Sequence, residues 1–388
     1  MSKLITFKFS IILVLISTFS YSKDVFSSST IEIFQEYKNS DVVDRILNPK
    51  KKSIPKKKST ISVKKTIPVV VKPDKFYILD TYARNTPKEY EKDIKTLTQY
   101  LIAPAKTDLE KTRLIFVWIT KNINYDDYAY NTGKYKAYSD ANILKYRKGV
   151  CDDFSSLFKS MCVEAGLEAE KVTGYAKGYG YKIGDKFKKV DHAWNAVKIE
   201  KKWKLFDVTW SEGPAITRKG KLVSVKKFDS YWFDVNPKEF IFSHFPEEEK
   251  WQKTGKLITL EKYETMPWLM SDFFKIGYDS NKIFEEAIDN NFTKFVPTYS
   301  TSDPSLKFIN LPYTKNLIKT DTLNFQIKSL YAHEIVLIDN NKWLKFTKKD
   351  SVYSIKHKPK GKKIQICVKR YRKGGYETVA VYSMVSRI

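Results

Sequence analysis

The sequence predicts an α+β chain that ends in an all-β, sandwich-like domain, and three observations predict it. Phe154, Leu157, Phe158, Met161, Cys162 and Ala165 recur at spacings of three and four, the period of one helix face. Two apolar runs, 192–199 and 203–208, are separated by a polar turn near Glu200 and Lys201 and read as a hairpin. From Phe295 onward, short alternating runs are divided by turn clusters, the pattern of a small antiparallel sandwich.

Size and charge bound the rest. A chain of 388 residues holds two domains and additional segments, and 42% hydrophobic with 15% aromatic content is enough for a core. The formal charge of +26 invites a nucleic-acid reading. The lysines are spread along the chain, however, without a zinc knuckle, an RNA-binding aromatic signature or a helix-turn-helix pattern. The expectation is a solvated basic surface: weak association with acidic polymers or a membrane surface, and no specific nucleic acid. Three cysteines, Cys151, Cys162 and Cys367, do not make a disulfide scaffold, and Cys151 and Cys162 lie too far apart on one helix to bond.

In chain order, residues 1–22 read as an export signal. Lys3 and Lys8 precede the apolar stretch 11–16, and Ser20 and Ser22 offer the small residues needed for cleavage after Ser22. An exported (periplasmic, cell-surface or secreted) protein is expected. Residues 23–75 carry runs of lysine among Ser, Thr and Pro and read as a basic disordered linker. Order is expected from Phe76, in a domain spanning 76–255. Thr107 and Glu110 fit a capping box ahead of a buried helix over 109–123, and a short helix is expected near 140–146. The Cys helix should run from 151 to 165, with Gly166 as its left-handed cap. A strand over 171–177 precedes the hairpin. If Ile199 faces Lys202, His192 pairs with Thr209 and Asp207 faces Trp194, so that His192 and Asp207 become diagonal neighbours on one face. Residues 256–294 form a connecting segment. Strands over 323–327, 335–338, 343–346, 364–368 and 378–385 make up the terminal domain, 295–388.

A thiol at the head of a helix, an imidazole and a carboxylate, in that chain order, are the parts of a cysteine nucleophile with its base and orienter. A helix N-terminus and an imidazolium both favour a thiolate, and the free N–H of the first turn points where an oxyanion would form. Cys151, His192 and Asp207 are therefore the candidate catalytic residues, while Asp152 and Asp153 favour the helix but oppose a nearby thiolate. Cys162 and Cys367 sit within apolar periodicity and read as core. His244, His333 and His357 read as structural residues without a defensible partner. No CxxC or HxxxH spacing supports a metal, and none is expected.

Several segments together resemble the transglutaminase-like superfamily of papain-type folds, and most closely its kyphoscoliosis-peptidase-like branch. They are 118–126, Gly149-Val150-Cys151, 174–178, His192-Ala193-Trp194-Asn195, Trp203, Asp207-Val208-Thr209-Trp210 and the tail 240–246 with Trp251 and Gln252. The resemblance covers roughly 77–255. It implies that the Cys helix packs against an antiparallel sheet carrying His and Asp. It also implies a thioester acyl-enzyme made from an amide, which water hydrolyses or an amine crosslinks, on a protein, peptide or cell-wall substrate. Tyr125, Asp153, Trp194, Asn195 and Trp210 are expected to bind substrate or support the site. No cofactor is implied, and no acidic calcium-binding loop is evident. The alternative is a catalytically inactive interaction scaffold.

Overall fold

The computed structural model describes residues 76–319 and 321–385. The expected export signal (1–22) and basic linker (23–75) lie outside the described residues. Three helices come first: α1 (Tyr77–Arg84), α2 (Ile94–Ile102) and α3 (Asp108–Asn122). The capping box forms as expected. The Thr107 side chain accepts the N–H of Glu110, and the Glu110 carboxylate accepts the N–H of Thr107. Every residue from Leu114 to Ile119 is buried, so α3 runs through the core rather than over it. Arg113 is buried there too. Its Nε and Nη2 donate to the two carboxylate oxygens of Asp80 on α1, each at 2.7 Å, and the rings of Phe233, Phe76 and Phe228 lie 4.8 to 5.3 Å from the guanidinium. A bidentate pair and a π cage replace the water that this group loses.

Two short helices, α4 (Asp127–Thr132) and α5 (Asp140–Tyr146), lead to α6 (Cys151–Glu164), which Gly166 terminates in the left-handed conformation. A five-stranded antiparallel sheet follows. It is built from β1 (Ala169–Ala176), β2 (His192–Ile199), β3 (Lys202–Phe206), β4 (Phe233–Val235) and β5 (His244–Pro246), in the spatial order β4-β3-β2-β1-β5. Helix α7 (Val208–Glu212) leaves the end of β3, and α8 (Pro237–Phe240) lies just before β5. Helix α6 packs on β1 and β2.

The β2–β3 turn has two residues, Glu200 and Lys201, both at positive φ, and Ile199 pairs with Lys202 as expected. The ladder stops earlier than expected, at Asn195 opposite Phe206. Asp207 does not continue the strand. Its side chain accepts the N–H of Trp210 at 2.8 Å and caps α7, so Thr209 is helical and never reaches His192. His192 instead pairs with Gly174 on β1.

Residues 256–294 differ from a plain connector. They fold into α9 (Leu260–Thr265), α10 (Ser271–Lys275) and α11 (Ser280–Ile288). The buried faces of these helices, including Tyr263, Phe273, Phe274, Ile283 and Phe284, belong to the same core as the terminal strands, and Ile241, Phe242 and Phe245 join it. Apolar residues at helical spacing needed a partner, and the terminal sheets supply it. Those sheets hold four and five strands. Four strands escaped the sequence reading, Lys307–Asn310, Asn316–Ile318, Thr347–Lys349 and Val352–His357, because lysines and asparagines interrupt their alternation. One of them, Asn316–Ile318, pairs parallel to Glu377–Val385, so the arrangement is not purely antiparallel.

Truncating Arg113 to Ala would remove both short bonds to the buried Asp80 carboxylate and leave it only the longer Arg84 pair at 3.7 Å. Urea denaturation of this variant should show a loss of about 3–5 kcal/mol.

Candidate active site

Cys151 is the first residue of α6 and is partly exposed. The residues before it hold the turn. Gly149 packs so closely on Asp153 that a Cβ would come within 2.5 Å of the Asp153 Cβ. Asp153 is buried and accepts the N–H groups of Val150 at 2.9 Å and Tyr138 at 3.0 Å. Burial, only partly offset by these bonds, raises its pKa. Its task is to fix the helix start and the overlying loop, not to contact a ligand. The neighbouring Asp152 is paired with Lys171 Nζ at 2.7 Å, which blunts the opposition to a thiolate that two acidic neighbours would otherwise cause.

His192 begins β2, and Asp207 follows the last residue of β3. The His192 Nε2 lies 2.7 Å from Asp207 Oδ2, and the Cys151 side chain is close enough to hydrogen-bond the same imidazole. The three side chains named from the sequence therefore meet. Burial alone would favour neutral His192, but the Asp207 charge and hydrogen bond, followed by Cys151, outweigh it and raise its pKa to about 10. Burial likewise pushes Asp207 up, but His192 and then His244 reverse this and hold its carboxyl well below the usual range. A charged imidazole on a charged carboxylate is the state these shifts favour.

His244 is where the sequence reading failed. It is fully buried, and its Nε2 lies 2.9 Å from the same Asp207 Oδ2 that holds His192. The connection spans 37 residues and three strands, and no local spacing announces it. His357 is also partnered, with its Nε2 2.7 Å from Asp339 Oδ2 in the terminal sheets, far along the chain from the site.

The donor atoms of His192, Asp207 and His244 all lie within 4.8 Å of one another, a set able to hold a metal ion. Their N–O separations of 2.7 and 2.9 Å are those of hydrogen bonds. A zinc ion bound at about 2.0–2.1 Å from each nitrogen would have to displace the shared protons.

Residues 95–208 match the model of the transglutaminase-like superfamily. Kyphoscoliosis peptidase of Homo sapiens is 36% identical over 203 residues, 52% of this chain and 30% of that protein. Hillarin of Drosophila melanogaster is 32% identical over 219 residues, 53% and 26% of the two chains. This chain carries a transglutaminase-like domain of the kyphoscoliosis-peptidase-like branch. It spans less than a third of the length of these curated relatives. A solved structure described as a TGase is similar at 17% identity over 42% of this chain and 39% of that one, with a TM-score of 0.24, too low to carry an argument.

The transglutaminase-like domain places the remaining candidates as walls and struts. Trp210 is half-buried, with its ring 5.5 Å from that of His192 and 4.3 Å from that of His244. Trp194 is buried and lies edge-on to His244 at 5.2 Å. Gly174 makes room for it, since a Cβ there would meet the Trp194 ring at 2.5 Å and the Phe245 carbonyl at 2.2 Å. Asn195 is buried and donates to the carbonyls of Ser155 on α6 at 2.9 Å and Glu170 on β1 at 3.2 Å. It ties the Cys helix to the sheet and is not positioned as a substrate contact. Tyr125 is half-buried, and burial above all, with a smaller contribution from Cys151, raises its pKa.

The two histidines predict opposite pH limits on stability. The folded-state pKa of His192 is above its unfolded value near 6.5, so its contribution is complete below about pH 6.5 and is lost as pH rises through about 10. The pKa of His244 is lowered to about 4, mainly by burial, so its contribution is complete above about pH 6.5 and is lost as pH falls toward 4. Thermal melting followed from pH 4 to 10 should decline at both ends, and His192→Gln should flatten the alkaline decline.

Proposed function

We propose that this chain is a cysteine-dependent acyl-transfer enzyme that opens peptide or isopeptide amide bonds. The observation that carries the proposal is the contact sequence Cys151–His192–Asp207, with the sulfur at the partly exposed head of a helix and the carboxylate fully buried. In the reacting pair the thiol proton already resides on His192, the charged imidazole described above, and the Cys151 sulfur attacks the amide carbonyl carbon. The C–N bond breaks as the imidazolium returns that proton to the departing amine nitrogen, leaving a thioester on Cys151. Water then attacks the thioester and gives its proton to His192. The C–S bond breaks, and the sulfur leaves as the anion beside the imidazolium, which restores the starting pair. An amine in place of water would give crosslinking. Hydrolysis is the favoured outcome, because water is abundant and nothing in the sequence marks a dedicated amine pocket.

The oxyanion of the addition step needs preorganised donors. The N–H of Cys151 stands in the first turn of α6, where the helix ladder leaves it unused. Tyr125, which is electrostatically coupled to Cys151, is the candidate for a second donor. Trp210 would wall the cleft and keep water off the His192–Asp207 pair. A protein, peptide or cell-wall fragment is the substrate class this chemistry suits. Export through the 1–22 segment belongs to the same proposal, with weak adhesion to acidic polymers or membranes through the basic surface, and mass measurement of the mature chain checks cleavage after Ser22.

Iodoacetamide labelling at pH 6–7, read by mass spectrometry, tests the proposal. Cys151 should label at least tenfold faster in wild type than in His192→Ala, with the fully buried Cys162 as the unreactive reference in both. A screen of peptides and cell-wall fragments should show turnover in wild type and none in Cys151→Ala. Labelling of Cys151 that His192→Ala leaves unchanged, with no turnover in the screen, would mark an inactive scaffold instead.

A further inference from the structure

His244 stands at the far side of Asp207, where the proposed chemistry has no use for a second imidazole. The strand order explains how it arrives. Both β2 and β5 flank β1, with His192 opposite Gly174 and His244 opposite Ala176. The two rings are 5.3 Å apart, and both point an Nε2 at one oxygen, Asp207 Oδ2. The other oxygen, Oδ1, is taken by the Trp210 N–H.

The tautomer of His244 follows from its second partner. Ser243 Oγ lies 2.8 Å from His244 Nδ1 and 3.3 Å from the Phe240 carbonyl. A hydroxyl has one proton, and the shorter contact is to Nδ1. Donation there leaves Nδ1 as an acceptor and puts the ring proton on Nε2, aimed at the carboxylate. The opposite tautomer would set an Nε2 lone pair against a buried anion at 2.9 Å. The ring itself is boxed by Phe240, stacked at 3.9 Å, and by Trp210, Trp194 and Trp232 at 4.3 to 5.4 Å. His244 is thus sealed from water and unable to swing, whereas His192 borders the partly exposed cysteine.

We propose that His244 is a positioning residue that divides the charge of Asp207 between two imidazoles. The inference rests on the Cys151–His192–Asp207 chemistry proposed above. A buried carboxylate facing a single imidazolium binds its proton tightly, and the acid step requires that proton to be released to the leaving nitrogen. The fixed Nε2–H of His244 takes up part of the Oδ2 charge, fastens the carboxylate in place and leaves His192 the more willing donor. The charged or titratable groups that face His192 are Asp207, His244, Cys151 and Asp191.

The test uses the full chain and the pH profile of Cys151 alkylation, which needs no identified substrate. His244→Phe fits the aromatic box but donates nothing. It should move the high-pH limb governed by His192 upward by about one unit, a tenfold change in proton affinity. His244→Gln, which keeps an N–H, and Ser243→Ala, which only loosens the tautomer, should move it in the same direction by less. With a turned-over peptide, kcat should fall while KM holds. A profile unchanged in all three variants would overturn the inference and leave His244 a structural residue, however far the melting temperature drops. If His244→Phe does not fold, nitrogen-15 NMR of the wild-type ring decides: a proton on Nε2 supports the assignment and a proton on Nδ1 overturns it. His192→Ala separates the two proposals. Loss of pH dependence in His192→Ala with no shift in the His244 variants refutes this inference alone. A profile unchanged by His192→Ala refutes the catalytic reading beneath it.

Discussion

Asp207 is a carboxylate with no access to water, and the site is arranged around that fact. A buried anion is tolerated only when its lone pairs are met by donors. Here the donors are the His192 and His244 imidazoles on one oxygen and the Trp210 N–H on the other. Each comes from a different element: β2, β5 and α7. Satisfying one side chain therefore fixes the end of the β2–β3 hairpin, the start of α7 and the edge strand β5. Asp207 can serve as helix cap and imidazole partner at once because its two oxygens face different ways.

The same economy governs the Cys151 side. Asp153 accepts from the Val150 and Tyr138 N–H groups, which gives the helix start and the covering loop a common anchor. Asn195 reaches from β2 to the carbonyl of Ser155 on α6 and fixes the distance between helix and sheet. These contacts do no chemistry. They hold sulfur and imidazole at a constant separation, and catalysis by proximity depends on such positioning.

Beyond the site, Lys177 joins the two cores. It is buried just after β1, and its Nζ donates to the carbonyls of Tyr263 at 2.6 Å and Met266 at 2.8 Å, at the end of α9. Burial lowers its pKa to about 7. The strand that lies between His192 and His244 is thereby tied to the helices that pack on the terminal sheets.

Much of this architecture was legible in the sequence because it is local. The capping box at Thr107, the 3–4 periodicity of α6, the cap at Gly166 and the two-residue turn at Glu200-Lys201 each depend on neighbours within a few positions, and the turn set the register that brings His192 near Asp207. The triad letters were legible for the same reason, since a helix head and one hairpin carry all three. Three things were settled by tertiary structure alone. Asp207 left the ladder to cap α7, because a helix start offered its carboxylate a better donor than a strand partner could. The 256–294 segment became part of a core, because its apolar faces are completed by strands far along the chain. His244 gained a role because strand order, which no local pattern encodes, set β5 beside β1 and turned a distant imidazole onto a buried charge.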